Sequence, residues 1–181
     1  MAVLNKRRAM LTTRVKERAR RLRSDCLLLL LSLFAIVGCD GTVYHRFASV
    51  EGAKWVAGDT LSFLYEGDDF LRWDSLCSMQ LSVQLRCNSS FKYKGLWVRA
   101  ESYALPGDSL LSVDTLFCKV YDENGRHIGS TAGLLFQNES NVAVVDASPG
   151  DTMEVRVTHI MPDVVLRGVS DVGIKLSTRL K

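Results

Sequence analysis

The chain has 181 residues, 47% of them hydrophobic and 24% charged, with 23 Lys/Arg against 20 Asp/Glu for a net charge of +3. That length and balance suit one globular domain rather than several. The positive charge is concentrated at the start of the chain, so it does not by itself point to nucleic acid.

Residues 1–26 carry nine Lys/Arg against two acids, Glu17 and Asp25. Leu27–Cys39 follows as LLLLLSLFAIVGC, an apolar run shorter than the roughly 20 residues that cross a bilayer. The chain turns polar at once, at Asp40-Gly41-Thr42. A basic stretch, an apolar stretch and a small residue before the cut are the parts of an export signal. The closing Ile36-Val37-Gly38-Cys39 resembles the bacterial lipobox, in which the Cys thiol takes diacylglycerol, the peptide is cut before it and the new amine is acylated. That resemblance implies a signal peptide over 1–38, which is removed, and a single domain over 39–181 held to membrane lipid through acylated Cys39. Each buried CH₂ contributes about 0.8 kcal/mol, and two or more chains anchor stably.

Cleavage removes nine of the 23 basic residues and two of the 20 acids, leaving 14 Lys/Arg against 18 Asp/Glu, or −4. Nucleic acid is therefore not an expected partner. With Cys26 cut away and Cys39 a thioether, Cys77, Cys87 and Cys118 remain, an odd number. Cys77 and Cys87 lie on one expected strand, about 33 Å apart, too far to bond to each other. All three fall on apolar phases and read as small buried hydrophobes; a bridge from Cys118 to Cys87 or Cys77 is the other reading.

From Thr42 onward the period is two. In Cys77–Cys87, Cys77, Met79, Leu81, Val83, Leu85 and Cys87 alternate with Ser78, Gln80, Ser82, Gln84 and Arg86, which predicts one buried and one wet face. The same pattern predicts strands near 42–50, 60–66, 96–104, 113–121, 127–131, 142–146, 153–161 and 172–178. Leu116, Cys118 and Val120 share the inner side of one; Met153, Val155, Val157, His159 and Met161 share that of another. Asn124-Gly125 supplies a tight hairpin turn, and Pro106-Gly107-Asp108 and Pro149-Gly150-Asp151 feed new strands. Residues 132–141 are ambiguous and admit a short helical turn. About eight or nine short strands with no long amphipathic helix predict an antiparallel, jelly-roll-like β-sandwich.

Catalytic patterns do not emerge. His45, His127 and His159 are far apart, and no H-E-x-x-H, G-x-S-x-G or phosphate-cradling Gly loop is present. His159 reads as a core histidine. Glu66-Gly67-Asp68-Asp69 lacks the ligand spacing of a calcium loop and reads as a solvated turn. No cofactor, metal, catalytic residue or small-molecule substrate is expected. Asp-[Ser/Thr]-[Leu/Met] occurs five times, with Thr60, Ser75, Ser109, Thr115 and Thr152 in the second position, where about one is expected by chance. The tripeptide resembles the O-glycosylation motif of exported Bacteroidota proteins, and it is equally good chemistry for leaving a turn. Thr60, Ser109 and Thr152 sit by turns and are expected to be more open than Thr115 in its strand.

The spaced residues resemble a family, the gliding motility lipoprotein GldH of Bacteroidota. The resemblance rests on Cys39-Asp40 and Val43-Tyr44, on Arg86, Asn88, Tyr93 and Leu96-Trp97, and on Val113-Asp114-Thr115-Leu116 with the Asp122–Gly125 hairpin. Its most specific part is His159-x-Met161 before Leu166-x-Gly168-Val169-x-Asp171-Val172-Gly173-Ile174. Pro162 and Gly95 depart from the family, which tends to have Arg and Asn there. The resemblance implies a non-enzymatic accessory or scaffold lipoprotein associated with gliding and type IX secretion, with envelope proteins as partners. Its expected place is the outer membrane, facing the periplasm. Phe91, Tyr93 and Trp97 form a candidate partner-contact loop, with packing under the mouth of the sandwich as the other and favoured reading of the same residues. A glycan-binding sandwich is the alternative, since aromatic platforms also serve sugars and fold alone does not decide.

Overall fold

The computed structural model describes residues 41–67, 77–148 and 150–180. Among them lie twelve strands, a three-residue 3-10 turn at Glu51–Ala53, and no helix long and apolar enough to cross a membrane. One sheet runs in the order β1 (Thr42–Ser49), β12 (Val169–Leu180), β4 (Cys77–Cys87), β8 (Leu135–Glu139) and β7 (Ser130–Ala132), with β9 (Ala143–Val145) also pairing β4. The other runs β3 (Leu61–Tyr65), β10 (Thr152–His159), β5 (Gly95–Leu105), β6 (Ser109–Lys119). A ribbon joins β2 (Lys54–Val56) to β11 (Val165–Arg167). Every pairing is antiparallel.

The alternation in the sequence is what lets the two sheets share one core. Met79, Leu81, Val83, Leu85 and Cys87 of β4 are wholly buried, as are Leu96, Val98 and Ala100 of β5 and Met153, Val155 and Val157 of β10. Leu116 and Cys118 of β6 and Val172, Ile174 and Leu176 of β12 complete the layer. Each such Val, Leu, Ile or Met contributes about 1.5–3 kcal/mol by leaving water. Cys87 and Cys118 are free thiols in this layer; burial pushes Cys87 up to about 12 and Cys118 up as well.

The ribbon marks one pole of the sandwich. Trp55 of β2 and Leu166 of β11 are buried, and Trp55 meets His159, the last residue of β10, edge-on with ring centroids 5.3 Å apart. The opposite pole is where the described chain begins, because Thr42 pairs with Ser177 and Leu180 with Cys77.

Three features differ from the expectations drawn from the sequence. The strands number twelve rather than nine, because β2, β8 and β11 run only three to five residues, too short to show a period. The ambiguous 132–141 stretch is no helical turn but part of a β7–β8 hairpin, turning at Gly133 with φ 65°. The strand expected over 127–131 shrinks to a single bridge, Tyr121 with His127, before β7 starts at Ser130. In the hairpin between them only Gly125 takes positive φ, 75°; Asp122 Oδ1 accepts the N–H of Asn124 at 2.9 Å and of Arg126 at 2.7 Å.

The fourth difference is physical rather than topological. The outer side of β4 is not wet at its centre: Ser82 is 4% exposed and Gln84 5%. Long side chains from the flanking strands cover them. Gln84 Oε1 bonds His45 Nε2 at 2.7 Å and accepts Gln137 Nε2 at 3.3 Å, while Ser82 donates to Glu139 at 2.5 Å. Arg86 lies 3.8 Å over the Phe47 ring and donates to Gln137 at 3.1 Å. Phe47 can lie flat there because residue 173 is glycine; a Cβ would meet its ring at 2.7 Å.

Candidate functional site

The aromatic loop that the sequence singled out runs from the end of β4 to the start of β5. Asn88 organises its entry. Its N–H donates to Gly168 O at 2.9 Å, its Oδ1 accepts the Ser90 N–H at 2.9 Å, and its carbonyl accepts the Phe91 N–H at 3.0 Å. Phe91 is thereby pressed against Gly168, which has φ 88°, and any Cβ there would stand 2.2 Å from Phe91 N. At 3% exposure Phe91 is a core residue and offers a partner no surface.

Tyr93 packs edge-on to Phe91 at 5.9 Å and donates its hydroxyl to Asp163, 70 residues away in sequence. That hydrogen bond, then burial and the carboxylate's charge, raise the Tyr93 pKa. Lys94 reaches the other way, to Glu123 of the 122–126 hairpin at 2.6 Å, and holds that carboxyl below its ordinary range. Between the loop and β11 lies a cavity of about 200 Å³ lined by Ser90, Lys92, Tyr93, Asp163, Val165 and Arg167.

Trp97 stands apart from this loop. It lies on β5 and points out from the four-stranded sheet, 46% exposed, with its ring 4.7 Å from that of Phe117 on β6. Ile160, 47% exposed, is tied to the same place by its N–H to Trp97 O at 3.0 Å. The structure thus splits the three aromatics into a buried wedge, a half-buried cavity wall and an exposed platform. Asp163, Arg167, Phe117 and Ile160 join them through long-range pairing, for which the local sequence carries no signal.

The remaining candidate residues are scattered. Cys39 and Ser75 lie outside the described residues. Thr60 and Ser109 are exposed, Thr152 is only half-buried, and Thr115 is exposed. The expected shelter of Thr115 is absent because β6 is an edge strand of its sheet. Among the described residues no group of three or more His, Cys, Asp or Glu could hold a metal ion.

The GldH lipoprotein family model matches residues 42–176, from the first residue of β1 to the body of β12. The chain belongs to the GldH lipoprotein family. It is the span of that match, over most of the described sandwich, that decides membership. No curated protein matches the chain. Among solved structures, similarity is found to a family 35 carbohydrate binding module from Clostridium thermocellum, with 10% identity, 74% of this chain and 88% of that chain covered, and a TM-score of 0.35. The adhesin domain of Lys-gingipain from Porphyromonas gingivalis gives 6%, 78%, 95% and 0.32 for the same quantities. The Drosophila NLP core gives 14%, 76%, 98% and 0.22. Likenesses this weak carry no argument about what a member of the GldH family binds.

Proposed function

We propose that this GldH-family lipoprotein is a non-enzymatic accessory part of the envelope, serving the gliding and type IX secretion machinery. It is held by acylated Cys39 in the outer membrane and faces the periplasm. The family match over residues 42–176 is the observation that carries this reading. The surface offered to a protein partner is the platform of Trp97, Phe117 and Ile160. Aromatic side chains that present area at little entropic cost are the usual anchors of such contacts.

Crosslinking and pull-down from native membranes test the proposal. Envelope machinery proteins are expected with the native chain and are lost with Trp97→Asp. Retention of the same proteins by that variant would move the contact elsewhere. Cys39→Ser is expected to give a precursor that takes up no fatty-acid probe. The exposed Trp97 also supports the alternative of a glycan platform, for which glycan-array binding abolished by Trp97→Ala is the sign. The exposed hydroxyls of Thr60, Ser109 and Thr115 are the proposed O-glycosylation points, ahead of Thr152. Peptide mapping of the native protein reads that order directly.

A further inference from the structure

Several basic side chains on this domain have company. Lys94 pairs with Glu123, Arg99 with Glu101 at 2.7 Å, and Arg156 with Glu154 and Asp108 at 2.6 and 3.1 Å. Arg86 and Arg46 lie over Phe47 and Tyr44. The ribbon at the pole sets two unpaired cations side by side. Lys54 of β2 and Arg167 of β11 are directly opposite each other, both on its exposed side. No carboxylate among the described residues lies within ion-pair distance of either one. Like charges placed opposite each other across a ladder destabilise it.

Both residues line one small cavity of about 120 Å³, completed by Gly52, Ala53, Asn88, Ser90 and Gly168. Its polar side-chain groups are an ammonium, a guanidinium, a hydroxyl and an amide, and its lining holds no carboxylate. The Asn88 Oδ1 is already taken by the Ser90 N–H, which turns the amide NH₂ toward other acceptors. The lining is therefore rich in donors and in positive charge, on a domain whose overall balance is acidic. Arg167 and Ser90 are shared with the neighbouring cavity of Lys92, Tyr93, Asp163 and Val165. There Lys92 adds a third cation without an ion pair, and Asp163 is engaged by the Tyr93 hydroxyl.

We infer that this cavity is a binding site for one phosphate-type oxyanion, held between Lys54 and Arg167 with Ser90 and Asn88 donating. An arginine fork and an ammonium are the pair best suited to such an oxyanion, and charge-assisted bonds are about twice as strong as neutral ones. The organic part of a phosphomonoester extends past Ser90 into the neighbouring cavity, against Tyr93 and Val165. Occupancy also removes the repulsion between the two opposed cations, so the ligand steadies the ribbon that closes the core at Trp55 and Leu166. The site lies at the pole away from residue 41, which directs it to an oxyanion in solution rather than to headgroups beside the chain's own start.

Thermal unfolding of the full chain in detergent tests the site, comparing sodium phosphate with sodium chloride at matched ionic strength. For a millimolar site at twentyfold excess, phosphate raises the midpoint by about 4 °C over chloride. The shift disappears in Lys54→Gln and in Arg167→Gln, each of which folds at least as well as the native chain without phosphate. Glucose 6-phosphate gives a larger shift than phosphate, and Lys92→Gln reduces only that excess. Equal midpoints in phosphate and chloride, or a phosphate shift that survives the Lys54→Gln/Arg167→Gln double variant, overturns the inference. Phosphatidylcholine vesicles containing phosphatidylglycerol separate the sources. Arg167-dependent co-sedimentation assigns the oxyanion to a lipid headgroup, and its absence beside a phosphate shift assigns it to a soluble ligand.

Discussion

The two outer faces of the sandwich are built from similar residue types and end in opposite states. On the six-stranded sheet, His45, Phe47, Gln84, Arg86, Gln137 and Glu139 bond or stack on one another until Ser82 and Gln84 are all but sealed. On the four-stranded sheet the polar groups also pair, Arg156 with Glu154 and Asp108 above the Tyr103 ring at 4.3 Å, and Arg99 with Glu101. Yet Leu64, Trp97, Leu110 and Val113 stay 46–54% exposed around them. The difference lies in width and in what fills the gap that each sheet leaves at a glycine. Gly173 at the middle of the wide sheet lets an aromatic ring lie down and carry an arginine. The narrow sheet has its own gap at Gly95, but the Phe117 ring fills it, and Trp97 beside that ring keeps nearly half of its surface in water.

The largest effect expected tests the core that both faces cover. Val83→Asp places an unpaired carboxylate in the wholly buried layer and should cost about 4 kcal/mol or prevent folding. A denaturant midpoint near that of the native chain would show that β4 does not face the core. Next comes the contrast between faces. Gln84→Leu leaves His45 and Gln137 without their acceptor and should cost about 1–3 kcal/mol. Arg99→Leu, losing a solvent-screened ion pair, should change stability by about 0.5 kcal/mol or less. Equal losses for these two substitutions would erase the distinction drawn between the sheets.

A pH series probes what lies between the faces. Burial holds the His159 pKa below its ordinary 6.5, only partly offset by contacts with Trp55 and Val56 backbone and by Asp163 and Asp59. The unfolded chain therefore takes up the proton more readily than the folded one. His159 costs nothing above about pH 7, and stability is lost as pH falls below about 6.5. His159→Phe should fall less steeply over that window, and parallel curves for the two proteins would contradict the buried, neutral ring. The smallest effect belongs to the open face. Trp97→Ala should lower stability by about 1 kcal/mol or less, since half the ring already meets water. A loss above about 3 kcal/mol would mark Trp97 as core rather than contact surface.

The fold was readable because its long strands follow one rule for many residues. Met79 to Cys87 and Met153 to His159 each show enough alternation to fix which side is buried. The short strands β2, β8 and β11 were not readable, since three to five residues carry no period, and Trp55 or Leu166 alone do not announce a ribbon. The covered face of β4 was hidden for another reason. Gln84 looks like any solvent-facing polar residue until His45 and Gln137 arrive from strands 39 and 53 positions away. The site was legible in part: the sequence picked out Tyr93 and Trp97, but it joined them to Phe91, which turns inward under Gly168. Asp163 and the Lys54–Arg167 pair come from segments that only the assembled ribbon brings to that pole.

The antiparallel docking of β1 on β12 has a mechanical consequence. Thr42 lies opposite Ser177 and Ser49 opposite Asp171, so the first and last strands form one ladder whose free ends share a pole. Tension applied between those two ends would unzip the ladder, loading its hydrogen bonds one after another. Tension applied between residue 41 and the far pole, where Ser90 and Arg167 sit, runs along β1 and loads all of those bonds in shear at once. A chain gripped at its start and pulled from the ribbon therefore resists along its stiff axis. The same ladder yields easily when its two ends are drawn apart.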